Sequence, residues 1–492
     1  MSIATAKFNK AELPAHLTNG RARASLLGVG WSALHTVVPS LSAALVFFLS
    51  AAILSYEDFG RLAIAGGLVS IALAFSPVAF GEALVQRSKL TNGHADAVFW
   101  CNIIVGLIYY TLLAAMAGFG AAWFNEPQLV WLVPLLALKV PFELAAAVPN
   151  AMIIRAMRFR AQAIRTAAAT TVGAVICVAL LLSGYGLISL AVSQVAVSAT
   201  AFVVAFWVAG WRPGFSGRFH HLKELCGYTI FASGDRMLGT LRVDHLVAGA
   251  LGGSAFLGLL TFAQRFFRML ADLASGAIGS VTHVVLSSMQ GEKEKARKTF
   301  FLASFAAATI GFPTFAGAAL IIDDIMDILF GSKWLAAQTA TQIFCLSGFL
   351  ATPGIIQGAL IRSQGRPNWW FYYQLVQQFG TVLVIAATYQ FGITAVVAGI
   401  FAKTFMLWPI SLFMTVKILE CRIVDYLSDF VGPMLATAGM AGVLYLLPMY
   451  PGWFGVAIYI ALGAVIYAGF LVMCCSQKLS NILIQMKKAK RA

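Results

Sequence analysis

SGDRMLGTLRVDHLVAG, residues 233–249, sets Asp235, Arg236, Arg242, Asp244 and His245 in the middle of a long apolar run. Either a polar loop interrupts the run, or five ionisable groups sit inside a membrane span. Composition decides between the two. Of 492 residues 60% are hydrophobic and only 11% charged, too little polar surface to cover so much apolar volume in water. The chain is therefore read as an all-α polytopic membrane protein.

Apolar runs long enough to cross about 30 Å of hydrocarbon predict about fourteen spans. The quoted stretch falls in the seventh, 227–252, and the eighth covers 256–285. Domain boundaries follow: a cytoplasmic segment 1–23, a first lobe of six spans 24–209, a basic linker 210–226, a second lobe of six spans 227–416, a further pair of spans 417–475 and a basic tail 476–492. The polar, basic first twenty residues lack a short apolar stretch with a cleavage site, so the first span is expected to act as the insertion signal. The cysteines have neither disulfide nor metal-site spacing and read as small apolar residues.

Lysine and arginine orient the chain. Of the 34 basic residues, 25 fall on one set of alternate connections and two, Arg61 and Lys333, on the other. Positive charge collects on the cytoplasmic side, so both termini are expected there, and the net charge of +15 calls for no nucleic-acid partner. Membrane lipids suffice as partners for the basic tail.

Seven basic residues remain inside spans: Lys139, Arg165, Arg236, Arg242, Arg265, Arg268 and Lys403. Arg165 is close enough to a span end to snorkel. A charge at mid-depth costs at least about 2.5 kcal/mol if it meets lipid, so the other six must face protein or a water-filled cavity. AQRFFRMLAD, residues 263–272, puts Arg265, Arg268 and Asp272 on one helical face. Arg242 shares a face with Asp235 and with His245, and Lys139 with Glu143 forms an i, i+4 pair. Each cation could simply neutralise an acid. In the seventh and eighth spans, however, four arginines meet three carboxylates, Asp235, Asp244 and Asp272. The surplus positive charge points to an anionic ligand, and guanidinium suits phosphate by donating two parallel hydrogen bonds.

The sequence also repeats itself. FNEPQLV at 124–130 echoes FGSKWLA at 330–336, and GYGLISLAVSQVAVS at 184–198 echoes QFGITAVVAGIFAKT at 390–404, both at an offset of 206. Gly60 and Gly81 echo Gly258 and Gly279 at an offset of 198. Two parallel six-span halves, with a site between them near mid-membrane, follow from such a pattern.

LSYEDFGRLAIAGGLVSIALAFSPVAFGEALVQR at 54–87, FNEP at 124–127, VPNAMIIRAMRFRA at 148–161 and DRMLGTLRVDHLVAGALGGSAFLGLLTFAQR at 235–265 resemble the Wzx-type polysaccharide flippases. These form a branch of the MATE-like superfamily of multidrug, oligosaccharidyl-lipid and polysaccharide exporters, and the likeness extends to exporters of succinoglycan-type exopolysaccharide. The resemblance implies two six-helix lobes around a cationic V-shaped cavity and alternating access by rocking. It implies a cargo of undecaprenyl-pyrophosphate-linked oligosaccharide moved from the cytoplasmic to the periplasmic leaflet of the bacterial inner membrane. Asp244 matches an acidic position of the family and Arg265 follows an Ala-Gln pair where basic or polar residues are usual. His245 and Arg268 depart from the pattern.

On this reading Arg236, Arg242, Arg265, Arg268, Lys139 and Lys403 line the cavity and hold the pyrophosphate. Glu82, Glu143, Asp235, Asp244, Asp272 and His245 are candidates for proton or sodium coupling or for pairing with the cations. Trp100, Tyr109, Tyr110, Phe266 and Phe267 are candidates for stacking on sugar. Prolines within the spans, among them Pro39, Pro141, Pro313 and Pro409, supply bends or hinges. No P-loop is present, so no cofactor is expected and an ion gradient is the expected energy source. Three rivals remain: a drug exporter of the MATE type, which predicts a carboxylate-lined cavity; a polysaccharide polymerase or ligase, which predicts a large outward loop; and a scaffold subunit of a polymerase and export complex.

Overall fold

In a computed structural model the chain is described at residues 21–77, 79–87, 90–218, 220–225, 237–448 and 452–491, and it is helical. Asp235 and Arg236 lie outside the described residues. The first half holds α1 (Arg21–Ile53), α2 (Tyr56–Ala74), α3 (Ala79–Gln86), α4 (Asn92–Trp123), α5 (Leu129–Ala137), α6 (Lys139–Arg155), α7 (Phe159–Leu182) and α8 (Leu187–Ala209). The second holds α9 (Val243–Ala271), α10 (Ala277–Ser287), α11 (Lys293–Phe330), α12 (Leu335–Ser363), α13 (Pro367–Thr388) and α14 (Ile393–Leu419). The pair α15 (Ile423–Leu446) and α16 (Trp453–Arg491) packs against α11.

Among the described residues nine helical stretches are long and apolar enough to cross a membrane. Two of them fold back on themselves. In the stretch Met237–Ala274, His245 Nε2 lies 3.2 Å from Gln264 Oε1, whereas 19 residues of straight helix would separate them by about 28 Å. The fold is at Gly253, whose φ of 77° is left-handed and leaves two antiparallel arms, 243–252 and 254–271. Likewise Gln342 donates to Asp323 Oδ1 at 2.8 Å across the turn between α11 and α12. The helices α1, α2 and α13, of 33, 19 and 22 residues, complete the two halves.

Duplication is written into the backbone. Asn125 and Gly331, 206 apart, both have positive φ, 52° and 61°, in equivalent turns. Gly186 and Gly392, again 206 apart, both have positive φ and stand immediately before α8 and α14. Where the halves meet, α2 crosses the second arm of α9 reciprocally. A Cβ on Gly60 would lie 1.8 Å from the Ser254 carbonyl oxygen, and one on Gly258 would lie 1.7 Å from that of Tyr56. Gly60 with Gly258, and Tyr56 with Ser254, are each 198 apart in sequence, as expected when a pseudo-two-fold axis passes through the crossing. Glycine is required at both places because backbone meets backbone.

The end of the molecule that carries these turns is closed. Phe262 stacks on Trp334 at 4.2 Å, and Phe47 and Phe59 pack edge-on or tilted beside them, joining α1, α2 and α9. Trp334 is fully buried and donates Nε1 to Ala51 O at 2.9 Å. Lys333 Nζ caps the end of α1 through the carbonyls of Ala52, Ile53 and Leu54 at 3.3, 3.4 and 3.2 Å. Arg61 donates to Glu126 at 2.8 Å and to Asp58 at 3.0 Å, and Ser254 donates to the same Glu126. The two basic residues that sequence assigns to the sparse side are thus both used in this closure.

At the opposite end the segment after α8 docks on the start of α4. Buried Asp96 accepts from Gly214 N at 2.9 Å, Ser216 N at 3.2 Å and Ser216 Oγ at 2.6 Å, while Trp100 donates Nε1 to Gly214 O at 2.9 Å. Glu224 accepts from Arg87 and lies 3.2 Å from His94 Nε2 and 2.8 Å from His220 Nε2. Hydrogen bonding to His94, then to Arg87, holds its carboxyl down at about 2.

Candidate functional site

Between the halves lies a cavity of about 580 Å³, walled by α1, α2 and both arms of α9, with contributions from α6 and α8. Its apolar stop at the closed end is Phe47 and Phe59; toward the linker end it is bounded by Leu73, Gly239, Thr240 and Asp272. Among the described residues four cations reach it, Lys139, Arg242, Arg265 and Arg268, together with His245 and one carboxylate, Asp272.

The helical frame explains how these groups converge. Arg265 and Arg268 are three residues apart on the second arm of α9 and so share its inner face. Asp272 follows at the point where α9 gives way to a π-helical turn, Asp272–Gly276. The hairpin at Gly253 then brings Arg242 and His245 from the first arm to the same depth. Arg242 is anchored by its own N–H, which donates to Ser70 Oγ on α2 at 3.2 Å. Arg265 also lies 5.5 Å from the Phe47 ring centre, a cation–π contact. Lys139 opens α6 and donates to Gln194 Oε1 on α8 at 3.3 Å.

No ion pair joins Lys139, Arg242, Arg265 or Arg268 to a carboxylate among the described residues. Asp272 lines the same cavity without closing to 4 Å on Arg268, although the turn between them is α-helical, with Asp272 N–H donating to Arg268 O. Among the described residues the cavity lining therefore carries more cations than carboxylates.

Several residues singled out in the sequence lie elsewhere. Glu143 does not pair with Lys139; both reach α8 instead, where Ser198 donates to Glu143 Oε1 at 3.0 Å, because each finds a neutral partner one turn apart on the facing helix. Lys403 does not line the cavity, because its helix α14 turns that face to α13, where Nζ meets Gln377 O and Thr381 Oγ1. Asp244 is buried behind the wall, with Oδ2 3.9 Å from His245 Nε2. Glu82 is exposed on short α3. Of the aromatic candidates, Trp100 stacks on Phe215, Tyr109 donates to Phe75 O, Phe266 is core and Phe267 packs on Phe315 and Phe344; none of these lines the cavity, and neither does Tyr110.

The aromatic residues that do face it are Phe47 and Phe59, and the polar ones include Ser40, Ser70, Gln194 and Thr261. Their signal was a stripe. On α2 the lining positions 59, 62, 63, 66, 70 and 73 recur every three or four residues and include Ala63, Gly66 and Ser70, and α1 repeats the pattern at 40, 43, 44 and 47.

A sequence model described as polysaccharide biosynthesis protein matches residues 49–339, more than half of the chain and all of the cavity walls except the α1 residues that line it. The chain belongs to the polysaccharide biosynthesis protein family. Within it the chain is similar to the teichuronic acid biosynthesis protein TuaB of Bacillus subtilis (strain 168), 21% identical across 93% of this chain and 97% of that one. It is 24% identical to the succinoglycan biosynthesis transport protein ExoT of Rhizobium meliloti (strain 1021), across 72% of this chain and 73% of that one. Among solved structures, the lipid II flippase MurJ in an inward closed conformation matches with a TM-score of 0.74 at 15% identity, covering 91% and 99% of the two chains. The multidrug transporter DinF-BH matches with a TM-score of 0.59 at 16% identity, covering 84% and 100%. This chain thus has the helical membrane fold of MurJ and the MATE transporters.

Proposed function

We propose that the chain is a flippase that carries undecaprenyl-pyrophosphate-linked exopolysaccharide repeat units from the cytoplasmic to the periplasmic leaflet of a bacterial inner membrane. The observation that carries this reading is the charge of the cavity: Lys139, Arg242, Arg265 and Arg268 face one another with Asp272 as the carboxylate beside them. Like charges held together in a low-dielectric wall need an anion, and a pyrophosphate with acidic sugar substituents is one that arginine grips in a bidentate manner. A cavity near 580 Å³ suits a headgroup and its first sugars rather than a whole repeat unit. Longer cargo extends from the linker end, the side that the basic connections assign to the cytoplasm.

Transport follows by rocking. With the Glu126 end closed, cargo enters from the cytoplasmic leaflet; parting of α2 from α9 at the Gly60–Gly258 crossing would open the other side. The cycle draws on an ion gradient, and a polymerase and export complex would take the product. Cationic drugs are poor cargo for these walls, and the names of the relatives in sequence point to polysaccharide rather than drugs.

The test is export of polymer, and of lipid-linked repeat units at the periplasmic face, in cells carrying Arg265→Ala or Arg268→Ala at unchanged membrane abundance. Export is expected to fall at least tenfold, one lost charge-assisted contact being worth about 1.5–3 kcal/mol. Normal export with both arginines removed would reject the anion-binding cavity.

A further inference from the structure

Lys403 is a mid-span cation that the cargo cavity does not use. Its ammonium donates to the Gln377 carbonyl at 3.0 Å and to Thr381 Oγ1 at 2.8 Å, both on α13. Neither partner is charged. On the third helix, Asp244 stands at the start of α9's first arm, three residues beyond Leu241. Asp244 is 8% exposed, and its Oδ1 has no hydrogen-bond partner among the described residues. The three helices are fastened together there, since Gln378 Nε2 donates to Leu241 O at 3.3 Å.

The site is shaped around the lysine. A Cβ at Gly380 would lie 2.9 Å from Lys403 Cδ, so glycine makes room for the stem between α13 and α14. The ammonium's own partners are a backbone carbonyl and a hydroxyl, and the buried Asp244 carboxylate, with one oxygen unpartnered among the described residues, stands on the helix that Gln378 fastens to α13. That is a donor set of hard oxygens, the kind that binds a hard cation, and an ammonium is a compact point charge of the same sign.

We propose that the Lys403 ammonium is the tethered occupant of a monovalent-cation site between α9, α13 and α14, so that the protein takes no sodium there, and removing the side chain opens the site to sodium. The site itself stands on geometry alone. Its consequence, that transport is not driven by sodium bound at this place, rests on the transport reading above.

The experiment is thermal unfolding of the purified full-length protein in sodium chloride and in choline chloride at equal concentration. Wild type is expected to melt at one temperature in both salts. Lys403→Ala is expected to melt several degrees lower in choline chloride and to recover specifically in sodium chloride, with recovery abolished by a second change, Asp244→Asn or Thr381→Val. Lys403→Ser, which adds an oxygen at the base of the site, gives the same reading if the alanine variant does not fold. Should neither survive purification, membrane abundance of the variants in cells grown in high sodium or high potassium gives the equivalent comparison. A sodium-specific shift in wild type, or no sodium response in the variants, overturns the proposal. Because unfolding is read without cargo, that failure is distinct from a failure of the cavity-arginine export test.

Discussion

Replacing Gly60 with alanine tests how the halves move. The added methyl would lie 1.8 Å from the Ser254 carbonyl oxygen, and carbons essentially never approach under 3.0 Å, so backbone must retreat by at least about 1.2 Å. No rotamer relieves the clash, because the obstructing atom belongs to the main chain of α9. Overpacking of this kind costs about 1–3 kcal/mol. Here the cost falls on the state in which α2 and α9 cross and not on the state in which they part. A bias of that size moves a two-state equilibrium about 5- to 150-fold. Alanine also favours helix over glycine by about 1 kcal/mol, so membrane abundance should hold. The assay is a single cysteine at Ala63, on the cavity wall, in a chain whose seven native cysteines are replaced. A membrane-impermeant maleimide added outside should label it faster in Gly60→Ala than in the parent, with Gly258→Ala acting alike through Tyr56 O. Unchanged labelling from both sides at normal abundance would mean that the crossing persists throughout the cycle and that the halves do not separate there.

Trp334→Ala should open the same end by removing a buried ring stacked on Phe262, a loss of about 3–5 kcal/mol, whereas Trp334→Phe should forfeit only the hydrogen bond to Ala51 O, about 1 kcal/mol; maleimide labelling at position 63 ranks the two. Asp96→Ala removes three hydrogen bonds to residues 214 and 216 and should expose residues 210–218 to limited proteolysis from the linker side without altering the cavity arginines. Glu224 has a carboxyl pulled down from 4.5 to about 2, so its stabilising contribution is complete above about pH 4.5, declines below that, and is lost as pH falls through about 2. The melting-temperature gap between wild type and Glu224→Gln should therefore persist down to about pH 4.5 and close by about 2; a gap that vanishes already at pH 5 would show that the pairing with His94 and Arg87 does not hold.

The membrane class, the all-helical fold and the repeat were legible in the sequence because each is a sum over many residues. Hydropathy adds along a span, charge adds along connections, and a duplication leaves glycines at a fixed offset. Gly186 with Gly392 and Gly60 with Gly258 are such marks, since left-handed turns and backbone crossings accept little else. Arg242, Arg265, Arg268 and Lys139 were legible as candidates because a charge at mid-depth must face protein.

Which charges share one chamber was not legible. An i, i+4 spacing puts Lys139 and Glu143 on the same face, yet each finds a neutral partner on α8, and periodicity says nothing about the facing helix. Lys403 carries the same sequence signal as Arg265 but turns toward α13, because the rotation of a helix about its axis is set by packing and not by its own pattern. Phe47 and Phe59 were hidden among 37 phenylalanines until the crossing of α2 and α9 aimed them at the arginines. By itself the sequence determined that buried cations exist and that two halves would surround them. Only the tertiary structure decided which cations meet, because convergence depends on the hairpin at Gly253 and on helix contacts between residues nearly 200 positions apart.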